Sequence, residues 1–170
     1  MNLQVDWGKP IPMRQSQTLM YELDLDKLPD EAGVYVFGRS WGGKFEALYV
    51  GKALRIRRRV KGQTNNLRLM THVRNARTGN RVVIPGIIKT RPGQQIGKVM
   101  TLSERALIRH FLSEGHDLVN VSGATLRRHE LVSTHRPMRF VPPVMYTFEF
   151  ASTAIPPPSV SPLSGLPPPK

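Results

Sequence analysis

The chain has 170 residues and no cysteine, which excludes disulfides, thiolate zinc sites and cysteine nucleophiles. Its formal net charge of +13 favours a polyanionic partner, above all nucleic acid. No long apolar run and no basic start followed by an apolar segment is present, so the sequence predicts a soluble cytoplasmic protein that has no membrane partner.

The basic charge is concentrated in one part of the chain. Thirteen of the 25 basic residues, and none of the 12 acidic ones, lie between residues 47 and 103. This block also contains core-type apolar residues, so it favours a folded face that meets phosphates over a merely solvated basic surface. The candidate phosphate contacts in and around its helices are Arg55, Arg57, Arg58, Lys61, Arg68, Arg74 and Arg77.

Residues 1–27 contain two prolines and little periodicity, and they are expected to form an arm with one short strand near 19–25. The apolar runs 33–37 and 47–50 predict two strands of a hairpin. Tyr35 and Tyr49 share a face if they pair directly, whereas a two-residue turn at Gly42 and Gly43 would separate them. A longer loop around residues 41–44 is therefore expected.

The residues after Gly51 change to a helical period. Ala53, Ile56 and Val60 form the apolar stripe of a short helix that packs on the sheet. A neighbouring face of the same segment carries three cations, Lys52, Arg55 and Arg59. A second helix is predicted over residues 65–77, with Leu69 and Val73 facing inward.

Residues 81–90 are rich in strand formers but contain Pro85 and Gly86, which predicts a bent or edge strand. A loop over 91–98 and a helix over 101–113 follow, then a short extended segment at 118–121 and a strand at 146–150. Seven of the last twenty residues are proline, so 151–170 is expected to be a disordered or polyproline tail. An alternative role for that tail is to bind a protein partner.

Glu104 lies within the apolar stripe of the predicted 101–113 helix, where a carboxylate needs a partner. One interpretation is a capping box, in which Thr101 and Glu104 bond to the first amides of the helix. The other is that Glu104 holds a divalent cation against a phosphate, since magnesium accepts as few as one protein carboxylate. The sequence leaves both open.

Five motif positions now stand in order along the chain: Gly33-Val34-Tyr35, Tyr49-Val50-Gly51-Lys52, Arg59, Glu104 and Asn120. This pattern resembles the GIY-YIG endonucleases over residues 28 to about 121. The residues of these motifs are most similar to those of the amino-terminal nuclease domain of the excision-repair incision subunit. The chain differs from that domain in having Gln63 and Thr64 where an aromatic residue is usual.

The resemblance implies an α+β fold with a small three-stranded antiparallel sheet flanked by helices. The nuclease-like domain would span 28–150, with a family-specific extension from about 122. The implied activity is hydrolysis of DNA phosphodiester bonds with Mg²⁺ or Mn²⁺, with RNA as the alternative substrate.

The resemblance also assigns roles to residues. Glu104 would bind the metal, and Arg59 would stabilise charge on the phosphorane. Tyr35 or Tyr49 would position or deprotonate the attacking water. Lys52 would support that chemistry, and Asn120 would hold the site together.

Related nucleases carry further modules that this chain excludes. The absence of cysteine excludes the zinc module of junction-resolving relatives, and the length leaves no room for the DNA-reading domain of homing relatives. A stand-alone nuclease from a restriction, phage, mobile-element or repair setting is therefore expected. The alternative is a basic nucleic-acid-binding protein on the same scaffold that does not cleave. Oligomeric state and cleavage specificity are left open.

Overall fold

A computed structural model describes residues 3–16 and 21–120, together with the backbone of two later strands. The first half contains β1 (Gln4–Trp7), β2 (Ile11–Gln15), β3 (Tyr21–Leu23), a 3-10 turn (Leu25–Lys27), β4 (Gly33–Trp41) and β5 (Lys44–Ala53). The second half contains α1 (Ile56–Gln63), α2 (Leu67–Asn75), β6 (Asn80–Lys89), α3 (Ile96–Ser113), β7 (Leu126–Val132) and β8 (Val144–Phe150). The expected α+β class is confirmed.

The main sheet is larger than expected. Its order is β3-β2-β6-β4-β5, with β1 also paired to β6, so six antiparallel strands replace the predicted three. The additional strands β1, β2 and β3 come from the segment expected to be an arm. β3 is the short strand expected near 19–25, whereas β1 and β2 were not expected because four or five residues are too few for an apolar–polar alternation to predict a strand. Among the described strands, β7 and β8 pair only with each other.

Residues 81–90 form a strand as expected, but of the two alternatives, bent or edge, the edge position is wrong, because β6 lies between β4 on one side and β1 and β2 on the other. Pro85 is tolerated there because its carbonyl accepts from the Gly8 amide at 2.8 Å, in the gap between β1 and β2. The N–H and C=O of one strand residue point to the same side, so the missing donor of Pro85 also faces that gap. Pro85 therefore removes no hydrogen bond between β6 and β4.

The hairpin of β4 and β5 closes through the two-residue turn that the sequence argument excluded. Trp41 pairs with Lys44, and Gly42 and Gly43 have φ of 51° and 76°. The register then shifts by one residue between Phe37 and Gly38, which leaves Leu48 as an extra residue in β5. This bulge reverses the parity of the turn, so Tyr35 and Tyr49 still lie on one face.

Helices cover the two faces of the sheet separately. Tyr35 and Phe37 belong to a core with α1 and α2, where Ile56, Val60, Leu69 and Val73 are buried as predicted. Ala53, expected on the same helical stripe, is instead the last residue of β5. The alternate residues of β4 and β5 pack against α3. β5 is the last strand in the sheet order, so the helices on both faces of the sheet can contact its residues.

The capping-box interpretation of Thr101 and Glu104 is wrong. α3 begins at Ile96, with Gln95 as its N-cap, so Thr101 is inside the helix. Its hydroxyl donates to the Gly97 carbonyl at 2.9 Å, one turn earlier. Sequence reasoning placed the helix start late because Gly97 and the loop residues before it carry no clear capping signal.

Arg81 is a structural residue of the basic block. Its guanidinium donates to the carbonyls of Val73, Ala76 and Gly79 at 2.7, 2.5 and 2.7 Å, and so closes the end of α2. Carbonyls at a helix end have no partner within the helix, and a cation there is favourable. A cation in a basic block is thus not always a phosphate contact.

None of the helices in the described part of the chain is long and apolar enough to cross a membrane. The proline-rich tail 151–170 lies outside the described residues. Of the expected extension from about 122, only the backbone of β7 and β8 is described.

Candidate active site

The two motif tyrosines stack against each other on the face covered by α1 and α2. Their ring centroids are 6.1 Å apart, and Phe37 meets both rings edge-on. Tyr35 is fully buried, while Tyr49 is partly exposed. The prediction that both phenols share a face is confirmed.

The Tyr35 ring occupies the space above Gly51, directly across the hairpin. A β-carbon at position 51 would overlap with the Tyr35 ring and hydroxyl. The glycine of the second motif triplet is therefore required by the tyrosine of the first. Packing against Tyr35 alone therefore explains why position 51 is a glycine.

The Tyr35 hydroxyl is buried and has no hydrogen-bond partner among the described residues. Burial and the neighbouring Tyr49 raise the pKa of this hydroxyl well above its ordinary range, and the adjacent Arg59 guanidinium only partly offsets that effect. Tyr35 is thus held neutral beside Arg59. It is a poor candidate for a base.

Tyr49 has a partner that the sequence did not indicate. Gln63, buried at the end of α1, donates from Nε2 to the Tyr49 hydroxyl at 3.3 Å. The side-chain oxygen of Gln63, Oε1, in turn accepts from Asn66 Nδ2 at 3.1 Å, and Asn66 caps α2. The available signal was a glutamine seven residues after Ile56, on the buried side of α1.

An open cleft of about 590 Å³ lies at the junction of β5 and α1. The exposed Leu54 stands among four cations that line it: Lys52, Arg55, Arg58 and Arg59. Lys52, Arg55 and Arg59 therefore line one surface together with Arg58, although Lys52 belongs to β5 and not to a face of the predicted helix. Four cations around one concave surface create a local site for an anion.

Glu104 is reached from this cleft through Lys52. The Lys52 ammonium lies 2.8 Å from Glu104 Oε2 and donates to Thr101 Oγ1 at 3.0 Å. Both side chains of the ion pair are mostly buried, with 35% of Lys52 and 20% of Glu104 exposed. The carboxylate in the apolar stripe therefore has a partner, and it is a lysine.

Asn120 binds the outer edge of β5. Its amide accepts from the Val50 N–H at 3.2 Å and donates to the Val50 carbonyl at 2.5 Å. The Val119 N–H donates to the Leu48 carbonyl at 2.9 Å, and His116 Nδ1 accepts from the Ala47 N–H at 2.8 Å. Residues 116–120 thus run along the edge strand, although they form no strand of their own.

The six predicted site residues therefore gather around four consecutive residues of β5, Tyr49 to Lys52. Tyr49 and Lys52 belong to this segment, and Tyr35 covers Gly51. The other three contact it directly or through a neighbour: Asn120 at Val50, Glu104 at Lys52 and Arg59 beside Tyr35. The tyrosines and the Lys52–Glu104 pair lie on opposite faces and meet at the sheet edge.

The other predicted phosphate contacts are not all free for that role. Arg57 donates from Nε to the Leu28 carbonyl at 2.9 Å, and Arg55 lies 3.9 Å from an Asp30 carboxylate oxygen. The remaining candidates are exposed on α1, on α2 or just after α2: Arg58, Lys61, Arg68, Arg74 and Arg77. Among these five, only Arg58 lines the cleft.

No three histidines, aspartates or glutamates gather as a metal site within the described residues. His72 donates to the Asp117 carbonyl at 2.8 Å, and His116 binds the Ala47 amide. Glu104 does not line the cleft itself and is joined to it through its ion pair with the lining residue Lys52.

Comparison with models of known protein families, with curated proteins and with solved structures finds no match for this chain.

Proposed function

We propose that this protein is a divalent-metal-dependent endonuclease that hydrolyses DNA phosphodiester bonds, with RNA as the alternative substrate. The observation that supports it best is the gathering of all six motif residues around Tyr49 to Lys52, beside a cleft lined by four cations. A restriction, phage, mobile-element or repair setting fits such a stand-alone catalytic domain.

The cleft suits a scissile phosphate. Attack on phosphorus builds negative charge on the equatorial oxygens, and Arg59 and Lys52, which line the cleft, would offset it. Tyr49 is the better candidate for positioning the attacking water, because it is partly exposed and its oxygen already accepts from Gln63. Tyr35 is completely buried, so its proposed role is to hold Arg59 and Tyr49 in place.

The donor set fits a magnesium or manganese ion that keeps most of its water ligands. Such an ion requires only one or two protein carboxylates, and Glu104 is partly exposed within reach of the cleft residue Lys52. The ion, when bound, would polarise the phosphate and stabilise charge on its oxygens. Glu104 would hold it, and Asn120 would keep the edge of β5 in position.

A non-cleaving nucleic-acid-binding protein on the same scaffold is the second candidate function. The ion pair between Lys52 and Glu104 supports it, because the pair accounts for a carboxylate in a positive field without any metal. The two functions make different demands on Glu104. Only the nuclease requires the negative charge for a chemical step.

Substituting glutamine for Glu104 separates these functions. Glu104→Gln keeps the shape and can still accept from Lys52, but it removes the anionic ligand. If the nuclease proposal holds, relaxation of supercoiled plasmid in Mg²⁺ falls by orders of magnitude, since metal and fixed charges supply most of the stabilisation. Affinity for duplex DNA stays equal or rises, because a negative charge leaves a positive cleft.

The controls use the unmodified protein. Plasmid cleavage by the wild-type protein should stop on addition of a chelator and return with excess Mg²⁺. Cleavage by Glu104→Gln at the wild-type rate, or no metal-dependent cleavage by the wild-type protein, would favour the binding protein.

A further inference from the structure

Lys52 is held at Glu104 by two interactions rather than one. Its ammonium contacts Glu104 Oε2 at 2.8 Å and Thr101 Oγ1 at 3.0 Å, and the Thr101 hydroxyl is itself anchored to the Gly97 carbonyl. The two side chains of the ion pair are only 35% and 20% exposed. An ion pair with this burial is screened less than a surface pair.

The same lysine also belongs to the cationic cleft. It lines that surface with Arg55, Arg58 and Arg59, so its side chain has two potential anionic partners. One is Glu104, which is present in the chain, and the other is a phosphate that enters the cleft. One ammonium cannot neutralise both sites fully.

We infer that Lys52 is the resident counter-cation of Glu104 in the free protein and competes directly with a divalent metal for that carboxylate. Metal binding therefore requires the ammonium to leave Glu104 for the cleft, where it becomes a phosphate ligand. This inference rests on the proposed function, because it takes Glu104 as the metal ligand. Displacing the Lys52 ammonium from Glu104 lowers the affinity of the protein for the metal.

The test measures Mn²⁺ binding by electron paramagnetic resonance of the free ion, without nucleic acid. Lys52→Met removes the ammonium and keeps an unbranched side chain of similar length. We expect it to bind Mn²⁺ about tenfold more tightly than the wild-type protein, since a cation in direct contact is lost. Circular dichroism and thermal unfolding verify that each variant is folded.

Arg58→Met is the matched control. It removes the same charge from the same cleft, but no contact joins Arg58 to Glu104 among those described. It should tighten Mn²⁺ binding by less than about twofold, because screening weakens exposed charges that are not in contact. Thr101→Val leaves every charge in place and frees Lys52 from its second anchor, so a smaller gain of a few-fold is expected.

Two results would overturn the inference in distinguishable ways. Equal affinities for Lys52→Met and Arg58→Met would show that Lys52 acts only through the general positive field, and would leave the nuclease proposal intact. If the Lys52→Met, Glu104→Gln double variant binds Mn²⁺ as tightly as Lys52→Met alone, Glu104 is not a metal ligand and the inference is wrong. The plasmid assay then decides the proposed function independently.

Discussion

Gly51 shows how tightly the individual motif residues determine one another. A methyl group at this position would overlap with the Tyr35 ring, which is fully buried and packed against Phe37 and Tyr49. We expect Gly51→Ala to lower the free energy of unfolding by about 1–3 kcal/mol, the usual cost of overpacking a core. Urea unfolding followed by circular dichroism measures it.

Gly62→Ala is the control for this prediction. Gly62 is in α1 and a β-carbon there would meet nothing within 4 Å, so alanine should leave stability unchanged or raise it by up to about 1 kcal/mol. If Gly51→Ala were as stable as Gly62→Ala, the Tyr35 ring would have room that this packing does not show.

Single residues were predictable from the sequence to the extent that a local pattern defines them. The motif order named Tyr35, Tyr49, Lys52, Arg59 and Glu104, and the structure gathers them around one segment of β5, with the tyrosines on one face and the Lys52–Glu104 pair on the other. The partners of these residues were not predictable. Gln63 reaches Tyr49, and Lys52 reaches Thr101, only because two helices pack on opposite faces of one strand, which no spacing along the chain encodes.

At the scale of elements, the hairpin shows why parity arguments fail. The glycine pair correctly suggests a tight turn, but the bulge at Leu48 carries no sequence signature of its own. Two errors therefore cancelled: the turn is shorter than expected, and the bulge restores the common face of the tyrosines. β6 was misassigned because Pro85 excludes a central position only where its missing donor faces a partner strand.

The attachment of residues 116–120 to β5 is sensitive to pH through His116. A backbone N–H can only donate, so the bond from Ala47 requires an unprotonated His116 Nδ1. Burial lowers the pKa of His116, and this outweighs Glu46 and Glu114, which raise it. The unfolded chain therefore binds this proton more readily, so the stabilisation is complete above about pH 6.5 and is lost as the pH falls below it.

His116→Asn tests this attachment, since asparagine keeps an acceptor but does not titrate. Between pH 7.5 and 5, the wild-type protein should lose about 1 kcal/mol more unfolding free energy than the variant, the usual contribution of one hydrogen bond. His110→Asn leaves the bond in place but removes a charge that helps to lower the pKa of His116, so its loss should lie between those of the wild-type protein and His116→Asn. Identical pH profiles for the wild-type protein and His116→Asn would show that this bond contributes nothing to stability.

At the scale of the whole molecule, the block of thirteen cations divides into different roles. Arg81 closes α2, Arg57 binds the Leu28 carbonyl, and Lys52 pairs with Glu104. The composition could indicate a polyanionic partner, but it could not separate these internal cations from the exposed ones. In the proposed complex with DNA, fewer than thirteen phosphates should therefore be neutralised.

This division gives a prediction for the salt dependence of DNA binding. Each neutralised phosphate releases counterions, so the logarithm of affinity falls with the logarithm of salt concentration with a slope of about −0.9 per contact. Arg58→Gln removes an exposed cation from the cleft and should make the slope shallower by about 0.9. Fluorescence anisotropy of a labelled duplex from 50 to about 200 mM salt, without divalent metal, gives the slope.

Arg14→Gln removes the same charge at a different place. Arg14 is exposed on β2, opposite Glu22, and β2 is separated from the edge strand β5 by β6 and β4. Three strand spacings amount to roughly 14 Å, beyond the screening length of about 8 Å at physiological salt. The slope should therefore stay at its wild-type value in Arg14→Gln. Equal changes in both variants would mean that DNA responds to net charge alone, and the cleft at β5 and α1 would lose its role as the binding surface.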